Sequence, residues 1–231
     1  MFELKDAVNT IASFFYALPI KLKKFEVGPF TENTYLLLEG DQAILVDPGF
    51  ASLDEYKAFK SELDGTSTKL QAICLTHAHV DHILGLHKVL NDFDVPVYLN
   101  HSDPFLWNNF EQQSQIFGFR SVGFDFTPEP LPEQENFTLG NFLFDVIYTP
   151  GHAPDHVSLY FEDSGLLIAG DVLFFESIGR TALYKGDFDT LANSIRKKLY
   201  KLPDDTSVYP GHGPATTIGR EKKHNAFVKA E

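Results

Sequence analysis

Between Leu75 and Gly85 the chain reads LTHAHVDHILG, which puts His77, His79, Asp81 and His82 within six positions, directly behind the apolar run LQAICL. Desolvating an imidazole or a carboxylate is costly, and imidazolium ions held side by side repel, so such crowding needs a compensating partner. A bound cation supplies one. Three more donors of the same type follow: His152 in YTPGHAPDH, Asp171 in LLIAGDVLF and His212 in VYPGHGP. Each group follows an apolar run and opens a loop, where chemically active side chains are commonly displayed. Glycine closely precedes three of the groups, which lets the backbone turn tightly against a ligand. A lone histidine in a folded domain is usually a hydrogen-bonded packing residue. Seven metal-type donors at four strand ends go against that reading.

Imidazole and carboxylate without thiolate suit zinc, iron or manganese and do not select among them. His77 and His79 can both turn inward if Ala78 points away, and with His152 they would hold one ion. Asp81, His82 and His212 would hold a second, and Asp171 could bridge both through its two oxygens. Two adjacent cations can share a hydroxide that is a nucleophile near neutral pH, which is hydrolytic chemistry. Asp81 then has two compatible roles, as a ligand of the second ion and as the orienter of the hydroxide.

The elements that must position these groups are legible as periodicity. IKLKKFEV, NTYLLLE and QAILVD read as strands bounded by Gly, Pro or Asp turns. LDEYKAFKSEL has helical spacing, with Leu53, Tyr56, Phe59 and Leu63 on one face. LQAICLT is apolar without alternation, as in a strand buried on both faces. HILGLHKVLN reads as one helix and VPVYLN as a strand. Residues 102–126, rich in aromatics and Gln, read as a helix followed by an irregular loop. FLFDVIYT, HVSLYFE and LLIAGD are three more strands, DFDTLANSIRKKLYKL is an amphipathic helix started by Asp187, and TSVYP is a last strand. Two successive β-rich halves separated by helices predict an α/β fold of two mixed sheets packed face to face with helices outside.

Composition agrees. The chain has 231 residues, is 43% hydrophobic and contains 22 Phe, enough for a substantial core and incompatible with general disorder. A net charge of −13 argues against nucleic acid or an anionic membrane as partner. The single cysteine, Cys74, excludes an internal disulfide and fits a cytoplasmic protein. At the N-terminus, Glu3 and Asp6 precede a short apolar patch, which is not the pattern of an export signal. Residues 1–19 are therefore expected to form a helical arm that packs on the domain or on a second subunit, with a single domain over 20–231. A homodimer is compatible with that arm.

H-x-H-x-D-H followed by His152, Asp171 and His212 in this order resembles the metallo-β-lactamase fold superfamily, over Ile20 to Val228. The resemblance implies an αβ/βα four-layer sandwich with a dinuclear site at one edge of the two sheets, and its ligand roles coincide with those assigned above. Asp171 stands where zinc β-lactamases commonly carry Cys, which argues against antibiotic hydrolysis. PFTENTYLLL, DVLFFESIGRTALYKGD and YPGHGPATTIGREKKHNAF resemble the glyoxalase II-like branch more narrowly, whose members hydrolyse thioesters such as hydroxyacylglutathione. Two departures stand out. The chain ends soon after His212, too early for the helical domain that helps hold glutathione in that branch, and the loop carrying Arg180 differs from the one that grips glutathione there. SIGRTALYKGD is closer to small single-domain bacterial members and, more distantly, to persulfide dioxygenases.

The resemblance therefore implies a hydrolase with two Zn²⁺ (iron or manganese being the alternatives) acting on a small thioester or ester. A mononuclear iron persulfide dioxygenase, a hydrolase of lactones or other esters, a tRNA 3′-end processing enzyme and a non-enzymatic metal-binding domain are the competing readings. Arg180 could bind a substrate carboxylate through its planar fork, or fix its loop by a salt bridge. His156 is either a partner of the donor set or a packing residue. Trp107, Phe117 and Phe119 form either a wall over the site or part of the core, and Asp47 could orient a ligand histidine.

Overall fold

The run of residues with alternating faces at the start of the chain builds a first sheet. In the computed structural model, which describes residues 20–230, it contains β1 (Lys21–Val27), β2 (Glu32–Glu39), β3 (Gln42–Val46), β4 (Lys69–Cys74), β5 (Val97–Leu99) and β6 (Glu129–Pro130), in that spatial order. The β1–β2 and β2–β3 pairs are antiparallel, whereas β3–β4, β4–β5 and β5–β6 are parallel. The arm expected over residues 1–19 lies outside the described residues.

The second sheet is built from β7 (Gln134–Leu139), β8 (Phe142–Tyr148), β9 (Val157–Phe161), β10 (Leu166–Gly170), β13 (Ser207–Pro210) and β14 (Thr216–Thr217), while β11 (Leu173–Phe174) and β12 (Ser177–Ile178) form a separate ribbon. Its order is β14-β13-β10-β9-β8-β7, with β10–β13 parallel and the rest antiparallel.

Side chains two apart share a face of a strand, and that period divides the core into layers. Tyr35 and Leu37 of β2 point toward the other sheet, against Phe144, Leu159 and Phe161, whereas Leu36 and Leu38 point outward toward Phe59 and Leu63. On the far side of the second sheet, Leu167, Ala169 and Val208 pack against Leu191 and Ile195. Each large apolar side chain buried in this way contributes about 1.5–3 kcal/mol relative to exposure. The result is the αβ/βα arrangement of two mixed sheets with helices outside.

The helices depart from expectation in three places. Helix α1 (Leu53–Asp64) starts with a capping box between Ser52 and Glu55, but Leu53 is 56% exposed. Six residues at 100° each carry it about 120° around the helix from Phe59, off the apolar stripe. The single helix expected from HILGLHKVLN is two, α2 (Val80–Ile83) and α3 (Leu86–Asp92). Gly85 breaks them because its N–H donates to Pro48 O at 2.7 Å, and a Cβ there would lie 2.7 Å from both Pro48 O and Phe50 N. Residues 102–126 hold two short helices, α4 (Phe105–Asn108) and α5 (Phe110–Ile116), before the irregular loop. Helix α6 (Phe188–Lys197) starts as expected, with the Asp187 carboxylate accepting from Thr190 N, and α7 (Ile218–His224) follows β14.

Candidate metal centre

The structure brings all seven sequence-singled donors to one edge of the two sheets. His77 and His79 lie in the loop after β4, Asp81 and His82 on α2, His152 in the loop after β8, Asp171 after β10 and His212 after β13. Four sets of three have donor atoms within 4.8 Å of one another: His77, His79 and His152; Asp81, His82 and His212; His77, His82 and Asp171; and, behind them, Glu32, Asp47 and His82. Asp171 stands between the first two. Its Oδ1 is 3.5 Å from His82 Nε2, and its Oδ2 is 3.4 Å from both His152 Nε2 and His212 Nε2. Asp81 Oδ2 is 3.3 Å from His212 Nε2.

Hydrogen bonds on the outer side aim the imidazoles inward. The Thr76 hydroxyl donates to Asp47 Oδ2 at 2.7 Å, so it accepts from His77 Nδ1 at 3.0 Å. His82 Nδ1 donates to Asp47 Oδ2 (3.0 Å), His152 Nδ1 to Arg180 O (2.7 Å) and His212 Nδ1 to Phe30 O (3.1 Å). In all four rings Nε2 faces the centre and is the nitrogen that carries the lone pair once the ring is neutral, the arrangement that outer partners impose on metal-binding histidines. His79 instead presents Nδ1, 2.8 Å from His152 Nε2.

Asp47, suspected as an orienter, adopts a left-handed φ of 50°, unusual for a residue with a Cβ. Its carboxylate holds that geometry by accepting from Thr76 N as well (2.7 Å).

His77 Nε2, His82 Nε2 and Asp171 Oδ1 are buried and have no hydrogen-bond partner. A buried polar atom left unmatched costs about 1–3 kcal/mol. Three such atoms converging among the same donors fit divalent cations, which would satisfy them together.

Burial and the neighbouring His152 push His79 down to about 3, and burial with His82 and the other imidazoles holds His77 well below the ordinary range. The other set behaves oppositely. Burial alone would depress His212, but hydrogen bonds to Asp171 and Asp81 outweigh it and lift the group to about 10. His82 is raised by Asp171 and Asp47 against the same burial penalty, while its positive charge helps hold the buried Asp171 well below the carboxylate range.

Glycines set how close the backbone can come. A Cβ on Gly211 would lie 2.1 Å from Asp171 Oδ1. Gly170 has φ +55°, and its Cβ would lie 2.5 Å from His156 Nε2. That close approach shows what His156 does: it is fully buried, and its Nε2 accepts from Asp171 N at 2.9 Å while Nδ1 meets the Thr149 hydroxyl. His156 therefore fixes the backbone that presents Asp171.

Two buried carboxyls escaped the sequence reading. Asp155 accepts from Ala78 N (3.0 Å), between His77 and His79, and burial pushes it up to about 7. Glu32 lies 3.8 Å from His82 Nδ1, and burial raises it well above the carboxylate range. For Glu32 the one local signal is a carboxylate at the start of a strand; Asp155 lies in the loop between β8 and β9 and carries none.

Four of the donors, His79, Asp81, His152 and Asp171, floor a cavity of about 390 Å³. Phe117 lines it, but Trp107 is buried against Phe124 and Phe126, and Phe119 packs beside Phe30. Arg180 lines the cavity and is exposed, and the loop-fixing salt bridge considered for it finds no partner among the described residues. Among the described residues no helix is long and apolar enough to cross a membrane.

The chain is similar in sequence and fold to known proteins. The hydroxyacylglutathione hydrolase GloC of Haemophilus influenzae is 34% identical over 209 residues, covering 89% of this chain and 96% of GloC. The crystal structure of the BLEG-1 B3 metallo-beta-lactamase superposes with a TM-score of 0.81 at 37% identity, over 90% of this chain and 99% of that one. TTHA1623, solved in a di-iron-bound form, gives 0.79 at 34% identity, over 89% of this chain and all of its own (100%). A profile of the metallo-beta-lactamase superfamily matches residues 27–212, which run from the end of β1 to the last histidine of the donor set. On fold, donor set and sequence alike, the chain belongs to that superfamily of metal-dependent hydrolases.

Proposed function

We propose that this chain is a dinuclear hydrolase of small thioesters, with His77, His79 and His152 holding one ion, Asp81, His82 and His212 the other, and Asp171 shared. The observation that carries the proposal is the position of Asp171, with one oxygen toward His82 and the other toward both His152 and His212. Ions bound there would supply Lewis acidity for a carbonyl oxygen and a water acidic enough to react near neutral pH. The donors suit zinc, iron or manganese, and the di-iron form of TTHA1623 makes iron part of the test beside zinc.

The chain's own residues do the remaining work. Asp81, open to the cavity, accepts a hydrogen bond from the attacking water and orients it toward the carbonyl. Asp47 and Thr76 keep His82 and His77 in the tautomer that points Nε2 inward. Arg180, unpaired at the cavity wall, receives an anionic group of the substrate. The thioester preference rests on the likeness to GloC.

The test is thiol release from hydroxyacylglutathione and from simple acyl thioesters, by zinc- and iron-loaded protein, beside a folded Asp171→Ala control. Turnover that the control lacks supports the proposal. A fully metallated protein that leaves every thioester intact but opens a lactone or a β-lactam would overturn it.

A further inference from the structure

The cavity above the donors has an unusual wall for a site that is to receive a charged peptide thiol. Apart from the donor carboxylates, the only charged side chain lining it among the described residues is Arg180. The amides at its edge are already committed in part: Gln113 donates through Nε2 to both Ala78 O and Leu106 O, and Asn109 donates to Phe105 O. Both hydrogens of the Gln113 amide are thus spent, so it has no donor left for a substrate.

Beyond these, Gln112 and the donor groups, the lining is apolar, and it carries two aromatic plates. Phe30 and Phe117 meet edge to face at 5.0 Å, and Phe105 and Tyr184 stack at 4.0 Å. Three large apolar side chains of this wall remain open to solvent: Phe105 is 41% exposed, Ile116 72% and Phe117 49%. Single exposed apolar residues are ordinary, but three converging on one concave site mark a surface that a ligand covers.

Resting on the proposed thioester chemistry, we infer that the substrate carries an apolar arm of roughly six to eight carbons on one side of its scissile carbonyl, lying against these aromatic plates. Phe117 and Ile116 are its specificity-determining residues. The volume agrees: at roughly 30 Å³ per water-sized group, about 390 Å³ accommodates about a dozen heavy atoms. A glutathione moiety would bring two carboxylates and an ammonium group to a wall with one unpaired cation, leaving charges desolvated without partners.

Two substrate series test this and identify the side of the arm: acetyl to octanoyl thioesters of N-acetylcysteamine, and S-ethyl to S-octyl thioacetates, each with metal-loaded full-length protein. In one series kcat/KM is expected to rise roughly fourfold per methylene, the change to which about 0.8 kcal/mol per buried CH₂ converts. Phe117→Ala and, separately, Ile116→Asn should flatten that slope. Both side chains are too exposed for the substitutions to open the core, and circular dichroism checks the fold. Flat or falling slopes in both series, or a preference for hydroxyacylglutathione over every apolar thioester, would overturn the inference. If no thioester is turned over at all, the hydrolase reading fails separately, and calorimetry decides this one. Octanoate binding at least tenfold tighter than glycolate supports the apolar arm, and equal or weaker binding overturns it.

Discussion

Two sets of three donors meet at Asp171, and they are made differently. His77, His79 and His152 are all buried imidazoles held neutral by burial and mutual repulsion. Asp81, His82 and His212 include a carboxylate and reach partly into solvent, and the acids around the two histidines raise both, favouring their protonated form. The first set can take up a cation without expelling a proton. The second must exchange protons for metal, because a ligating histidine has to be neutral. The contrast teaches that, in the proposed dinuclear centre, one set is preformed for an ion, whereas the neighbouring set is stabilised by internal ion pairs that an ion would have to displace.

The largest effect should come from the residue that belongs to both. Asp171→Ala is expected to lower metal content from two ions per chain to one or fewer, measured by plasma mass spectrometry. Hydrolysis should fall by well over the ~100-fold typical of losing an outer partner. His212→Ala, by contrast, should retain the ion at the buried set. Equal metal loss in both variants would break the comparison.

Next comes Asp47→Asn. Asp47 holds His82 directly and His77 through Thr76, so both ions should bind about 10–100-fold more weakly. Thr76→Val should weaken only the buried set, as competition with a chelator would show.

The pH dependence follows in size. His212 is raised to about 10 in the metal-free protein, so it stays protonated through neutral pH. Its ion pairs stabilise the metal-free fold fully below the unfolded value of about 6.5, and that contribution is lost as pH rises through about 10. Affinity for the second ion should therefore rise about tenfold per pH unit between pH 7 and 9 for each proton displaced. Affinity for the first should stay nearly flat, since His79 lies at about 3. Chelator competition across that range measures both slopes, and parallel slopes would refute the distinction.

Arg180→Ala should have the smallest effect, raising KM several-fold for an acidic substrate with a lesser change in kcat, since an exposed ion pair contributes about 1 kcal/mol or less.

Much of this site was legible because metal donors are rare residue types placed where apolar runs end. The strands after which His77, His152, Asp171 and His212 fall could each be seen locally, and so could the two-sheet arrangement they imply. What could not be seen depends on contacts between distant segments. The break at Gly85 arises from Pro48 and Phe50 pressing on it, and no helical periodicity registers that pressure. Asp155 looks like an ordinary loop carboxylate until Ala78 meets it across 77 positions. The aromatic plates join Phe30 to Phe117 and Phe105 to Tyr184, pairings invisible in a composition rich in Phe. His156 had two readings, and only its bond to Asp171 N separates them.

The first sheet also grips the loop that carries His212. Asn33 Nδ2 donates to Pro210 O and Gly213 O, and the Tyr35 hydroxyl to Pro210 O, spanning up to 180 positions of chain. Contacts of such separation form late, because the intervening chain must be ordered before they are rewarded. A nascent chain would therefore hold His77, His79 and His82 long before His212 has a place to stand. Metal capture by both sets becomes a marker of the last step of folding, one that a refolding experiment with a metal-sensitive dye could time.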